Sequence, residues 1–69
     1  MPKYDPLKTT AQRVYDYLVE HYTGKPEFFS YTKIADEIAA SRSGVSYAVG
    51  VLLRAGKIAI LDGKIAVKF

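Results

Sequence analysis

Cysteine and tryptophan are absent from the 69 residues, and His21 and Met1 are the single residues of their types. Without cysteine the chain has neither disulfides nor thiolate metal sites. A domain this small must therefore be stabilised by burial of aliphatic and aromatic side chains. One histidine is too few for a typical zinc centre, and the sequence predicts neither a bound metal nor a cofactor.

Catalytic and membrane-spanning patterns are also missing. The carboxylates do not cluster as in two-metal nucleases, no nucleophile stands beside a base, and glycine-rich phosphate-binding motifs do not occur. No apolar run approaches the length that crosses a bilayer, and residues 1–5 are too polar for a signal peptide. We therefore expect a soluble cytoplasmic protein that is not an enzyme and has no membrane partner or evident small-molecule ligand.

Acidic residues are scarce in the second half of the chain. Residues 1–37 contain five basic and six acidic side chains, whereas residues 38–69 contain five basic side chains and only Asp62 as an acid. The formal net charge of +3 is therefore concentrated in the second half. A basic region of this kind favours a polyanionic partner such as nucleic acid.

The segment 34–58 predicts two helices joined by a tight turn, over residues 31–40 and 41–55. Apolar residues recur at helical spacing in both. In the first they are Ile34, Ala35 and Ile38, and in the second Val45, Ala48, Val49, Leu52 and Leu53. Ser41 is a favourable N-cap for the second helix, and Gly56 stands where a left-handed residue ends it.

The remaining segments predict one more helix, a short strand and a hairpin. Residues 1–8 form an arm, and Thr9 and Gln12 stand at capping-box spacing before a helix whose apolar face is Ala11, Val14, Tyr15, Leu18 and Tyr22. Phe28 and Phe29 are predicted to form a short strand, and Ser30 is predicted to cap the next helix. Asp62-Gly63 predicts a type I′ turn in a hairpin over 57–69, whose inward residues are Ile58, Ile60, Ile65, Val67 and Phe69.

This order of elements resembles the winged helix-turn-helix domains, and the segment IADEIAASRSGVSYAVGVLLRAGKI resembles a pattern common in repressors. The matching residues are Ser41, Arg42, Ser43, Val45, Ser46, Leu52, Gly56 and Ile58. The resemblance implies one α+β domain over 1–69, a small winged helix-turn-helix with three helices, a short strand after the first helix and a C-terminal β-hairpin wing. It also implies that the second helix of the motif enters the major groove of DNA. Three departures are Ala39-Ala40, where a glycine-containing turn is frequent, Gly50, where many relatives carry a long basic or polar side chain, and the wing, which is short because its tip has two residues.

The resemblance and the helical spacing together predict two groups of DNA-contacting residues. The first group reads bases and consists of Arg42, Ser43, Ser46, Tyr47 and Gly50. The second contacts the phosphate backbone and consists of Ser30, Lys33, Ser41, Arg54, Lys57, Lys64 and Lys68. We expect a small transcriptional regulator, associated with the nucleoid, that binds double-stranded DNA as a homodimer or an array.

Several alternatives remain open at the level of sequence. Lys33 can pair with Glu37 instead of phosphate, and the wing lysines can simply be solubilising. Gly44 and Gly50 either let the helix approach DNA closely or relieve packing against another element. The domain can also be a protein-interaction or dimerisation module, or a plasmid or phage replication or partition factor. A partner surface would consist of Tyr17, Val19, Val51 and Leu61.

Overall fold

The computed structural model describes residues 8–68, which form three helices followed by a two-stranded antiparallel hairpin. The helices are α1 (Thr10–His21), α2 (Tyr31–Ile38) and α3 (Arg42–Arg54), and the strands are β1 (Ile58–Leu61) and β2 (Lys64–Val67). This α+β layout is consistent with the small winged helix that the sequence predicts. Most of the expected arm, residues 1–7, lies outside the described residues, as does Phe69.

Each helix begins at a hydroxyl side chain that caps it. The Oγ atoms of Thr9, Ser30 and Ser41 accept hydrogen bonds from the backbone N–H three residues later, at 3.1, 3.4 and 3.0 Å respectively. These bonds satisfy backbone donors that have no partner within the helix. All three predicted caps are thereby confirmed.

The end of α3 is also fixed by local chemistry. Gly56 has φ 75°, and its N–H donates to the carbonyl of Leu53 at 3.1 Å, while the N–H of Lys57 donates to the carbonyl of Leu52 at 3.0 Å. Together these two bonds form a Schellman motif, which requires a left-handed residue after the C-cap. The predicted stop at Gly56 is confirmed.

The turn between α2 and α3 uses alanine where glycine is usual. Ala39 has a left-handed backbone with φ 56°, and the N–H of Ala40 donates to the carbonyl of Ala35 at 2.9 Å. From α1, Nη1 of Arg13 donates to the carbonyl of Ile38 at 2.7 Å, so one carbonyl at the open end of α2 is bonded by another helix.

Ala39→Gly is expected to raise the free energy of unfolding by about 0.5 to 1 kcal/mol, because removing the Cβ relieves left-handed strain that exceeds the entropic cost of glycine. Urea denaturation followed by circular dichroism measures the change. Ala55→Gly is the matched control, since Ala55 has a right-handed backbone with φ −77°. The control is expected to be destabilised, and an equal response of both variants would contradict the strain at Ala39.

The hairpin has the predicted register. Ile58 pairs with Val67, Ala59 with Ala66, Ile60 with Ile65, and Leu61 with Lys64. Asp62 and Gly63 have φ 53° and 76°, as a type I′ turn requires. The hairpin therefore closes at the predicted two residues.

The short strand after α1 is a single bridge. Glu27 and Ile65 exchange two backbone hydrogen bonds at 3.0 and 2.7 Å, which adds one residue to the outer edge of β2. The predicted position at Phe28 and Phe29 was one residue too late. Instead Phe28 is 78% exposed and Phe29 packs against the core.

The core is built from all three helices and the hairpin. Its buried members are Val14, Tyr17, Leu18, Ile34, Ala35, Ile38, Val45, Ala48, Val49, Leu52, Ile58, Ile65 and Val67. Among residues 8–68, no helix is both long and apolar enough to cross a membrane.

Three predictions about burial were wrong. Tyr17 was expected on an exposed partner surface, yet it is only 4% exposed because it lies on the same stripe as Val14 and Leu18. Leu53 was expected in the core but is 42% exposed, since it lies beside the stripe that α3 buries. Ile60 shares the inward face of β1 with Ile58 but is 40% exposed, because it lies nearer the tip of the hairpin.

Candidate nucleic-acid interface

One face of α3 is directed away from the core. Val45, Ala48, Val49 and Leu52 are buried, which leaves the other side of the helix open. Four of the five predicted base-reading residues, Arg42, Ser43, Ser46 and Tyr47, are exposed. Tyr47 is 73% exposed, so its ring and hydroxyl are both available. An exposed helical face with short polar side chains can enter a groove of DNA.

Gly44 and Gly50 have different structural explanations. A Cβ at Gly44 would lie 3.0 Å from Oγ of Ser41, the atom that caps α3, so glycine there protects the cap. A Cβ at Gly50 would meet nothing within 4 Å, even though Gly50 lies inside the helix. Relief of packing therefore accounts for Gly44, whereas packing against the described residues does not explain Gly50.

Arg42 is the first residue of α3 and lies where three elements meet. Together with residues 28–32, Ile60, Gly63 and Ile65 it lines a cleft of about 320 Å³. A neighbouring groove of about 360 Å³ is lined by Arg42, Ser43, Ser46 and Tyr31. The N-terminal ends of α2 and α3 and the tip of the hairpin thus lie around one guanidinium group. Ser30 and Ser41, predicted to contact backbone, cap those two helix ends.

The predicted phosphate-binding cations do not form one patch. Lys64 follows the turn at the hairpin tip, whereas Lys57 and Lys68 lie at its base. There the Lys57 ammonium lies 5.1 Å from the ring centroid of Tyr15, whose hydroxyl donates to the carbonyl of Lys68 at 2.9 Å. Arg54 is exposed at the end of α3.

Lys33 on α2 is exposed and makes no ion pair with Glu37 within the described part of the chain. The pairing considered from sequence is therefore not formed, and the ammonium group is available to a ligand. Among residues 8–68, no group of three histidine, aspartate or glutamate side chains is arranged to hold a metal ion.

No protein-family model, curated protein or solved structure matches this chain. Its function is therefore inferred from its own residues and their geometry.

The predicted partner surface is not assembled. Tyr17 is buried, which rules it out as a contact residue in this fold. Val19 and Val51 are half-buried, and Val19 packs against the core. Leu61 is 55% exposed and is the member that remains fully accessible.

Sequence reasoning missed two features near the interface. Arg13 donates to the carbonyl of Ile38 and thereby connects α1 to the turn that precedes α3, while its buried Nε has no hydrogen-bond partner among residues 8–68. Phe28 and Ile60 were assigned to a strand and to the core, but both are exposed along the cleft beside Arg42. Arg13 and Ile38 are far apart in the sequence, as are Phe28 and Ile60. Their positions depend on how distant elements pack, so sequence spacing does not indicate them.

Proposed function

We propose that this protein binds double-stranded DNA as a winged helix-turn-helix domain, with α3 in the major groove, and acts as a small transcriptional regulator. The observation that carries the proposal is Gly50. A glycine inside a helix costs about 0.5 to 1 kcal/mol relative to alanine, and no neighbouring atom among residues 8–68 requires it. A smooth surface there suits a helix whose backbone must approach another large molecule closely.

Base readout would be concentrated at the start of α3. The N-terminal residues of a recognition helix usually contact base edges, and Arg42 is the first residue of α3. Its guanidinium can donate two hydrogen bonds to guanine. Tyr47, one turn further along, supplies a hydroxyl group for phosphate or base and a ring for a thymine methyl.

Backbone contacts would come from the exposed cations around that helix. Lys33 and Lys64 are the chain neighbours of Thr32 and Gly63, which line the cleft with Arg42. Arg54 is the last residue of α3, and Lys57 follows it by three residues. With about four phosphates neutralised, the logarithm of the binding constant is expected to fall with the logarithm of salt concentration at a slope of roughly −3.6.

Few long side chains are available for reading bases, so one domain recognises few base pairs. Specificity would then depend on binding as a homodimer or as an array of copies along DNA. Selection of bound duplexes from a random pool tests this proposal, with a palindromic or repeated consensus as the expected result. Absence of binding at low salt by the folded protein would contradict DNA binding and favour a protein-interaction module.

Arg42→Ala is expected to weaken binding to the selected sequence by about 1 to 3 kcal/mol and to relax the preference at one base pair, because the bidentate contact is lost. Fluorescence anisotropy with a panel of single-base variants measures both effects. Lys64→Ala is the comparison, since loss of a phosphate contact weakens all sequences equally and flattens the salt slope by about one. Unchanged discrimination in Arg42→Ala would show that α3 does not read bases through this residue.

A further inference from the structure

The cleft beside Arg42 has walls that DNA binding does not explain. Aromatic and aliphatic side chains form most of its lining: Phe28, Phe29, Tyr31, Ile60 and Ile65. Phe28 is 78% exposed and Ile60 is 40% exposed. A phosphate group would engage the guanidinium of Arg42 but would leave the exposed surfaces of Phe28 and Ile60 in contact with water, at an energetic cost proportional to their area.

The charge in the cleft is of one sign. Arg42 is the charged residue among those that line it, and no carboxylate lies there. Within residues 8–68 the Arg42 guanidinium makes no ion pair and no hydrogen bond to another residue. Hydroxyl groups of Ser30 and Thr32 add hydrogen-bonding capacity at the same wall. An anion with an apolar body complements both the charge and the lining.

We propose that this cleft binds a small organic anion with a flat apolar body, an aromatic carboxylate in chemical class. The ring system would lie against Phe28 and Ile60, and the carboxylate would accept two hydrogen bonds from Arg42. The cleft volume of about 320 Å³ lies at the lower end of the range for small-molecule sites. The ligand is therefore restricted to a single ring or to two fused rings. The cleft is open to solvent and the exposed Phe28 ring is part of its wall, so the ligand can enter without movement of the fold.

Such a ligand would act on DNA binding because both would use the same guanidinium. Occupation of the cleft would withdraw Arg42 from the major groove and release the protein from its site. This competition rests on the proposed function, whereas binding of the anion in the cleft does not.

Titration of isotope-labelled protein with naphthalene carboxylate, followed by two-dimensional amide NMR, tests the binding without DNA. Saturable shifts are expected at residues 28–32, at Arg42 and at residues 60–65. Two probes provide controls: the uncharged naphthalene carboxamide lacks the anion, and acetate lacks the rings. Both are expected to bind at least about tenfold more weakly, because each loses one of the two contacts. Absence of saturable shifts, or equal affinity for the carboxamide, would overturn the proposal.

Substitutions inside and outside the cleft test where naphthalene carboxylate binds. Arg42→Ala and Ile60→Ser are each expected to weaken naphthalene carboxylate binding at least about tenfold. Arg54→Ala removes the same charge from the far end of α3, outside the cleft, and is expected to bind as wild type does. An equal loss in Arg54→Ala would show general charge attraction and overturn the site.

The link to DNA is measured separately by displacement of labelled duplex. Displacement by the carboxylate but not by the carboxamide supports competition at Arg42. Carboxylate binding by a protein that ignores DNA would contradict the proposed function and leave the cleft supported. DNA binding without carboxylate binding would overturn the cleft alone.

Discussion

Ile34→Ala is expected to lower the free energy of unfolding by about 2 to 5 kcal/mol, which is the usual cost of removing a large aliphatic side chain from a core. Ile34 lies on α2, is 0% exposed and belongs to the cluster that joins the helices to the hairpin. A domain of this size rarely has more than about 3 to 5 kcal/mol of stability in total. The variant should therefore be substantially unfolded at room temperature, as urea denaturation and circular dichroism can measure.

Leu53→Ala is the matched control for that result. It removes a large aliphatic side chain from a helix in the same way, but Leu53 is 42% exposed. Leu53→Ala is expected to lower the free energy of unfolding by less than about 1 kcal/mol, because surface substitutions leave no cavity. A loss as large as that of Ile34→Ala would show that Leu53 is packed in the core, as the helical spacing alone suggests.

The parts of the fold that could be predicted are those that neighbouring residues determine. A hydroxyl before an apolar stripe caps a helix, glycine ends one at a left-handed position, and Asp62-Gly63 selects a two-residue turn that fixes the hairpin register. Each of these features is determined by residues that are close together in the sequence. The sequence therefore contains all the information they require.

The features that could not be predicted depend on packing between distant elements. Leu53 and Ile60 have the spacing of core residues, yet the neighbouring elements leave them 42% and 40% exposed. Glu27 bonds Ile65 across the fold, and Arg13 bonds Ile38 from another helix. Helical and strand periodicity identify a face, but they do not say how far along it the neighbouring element extends.

The candidate site also has one part that could be predicted from the sequence and one part that could not. The exposed face of α3 follows from helical spacing, so the positions of Ser43, Ser46 and Tyr47 were predictable. The separation of Lys64 from Lys57 and Lys68 follows from the hairpin register, which the sequence also predicts. The apolar cleft beside Arg42 instead follows from where the hairpin packs. Charge counted along the sequence described a basic half of the chain but not the arrangement of its cations.

Gly50→Ala and Gly50→Glu are expected to change stability and DNA affinity in opposite directions. The added Cβ has open space around it, so Gly50→Ala should raise the free energy of unfolding by about 0.5 to 1 kcal/mol through helix propensity. Gly50→Glu should give a similar or smaller gain, because glutamate is also a good helix former. In the proposed complex both side chains occupy space that the groove needs, and the carboxylate also meets phosphate charge. Gly50→Ala should therefore lower the affinity for DNA. Gly50→Glu should weaken the binding free energy by about several kcal/mol, because like charges brought together at an interface cost about that much.

The charge-matched control is Lys25→Gln, which lowers the net charge by one, as Gly50→Glu does, in the exposed loop after α1. Lys25→Gln is expected to lose a modest amount of DNA affinity that does not depend on DNA sequence. Anisotropy titrations at two salt concentrations distinguish this loss from a local, steric loss of affinity in Gly50→Glu. If both Gly50 variants are more stable and still bind DNA as wild type does, close approach is not the reason for the glycine. Opposite changes in the two measurements, on the other hand, would mean that stability is given up at this position for contact with DNA. A packing role of Gly50 against residues 8–68 would not give that result, because a Cβ at this position has open space among those residues.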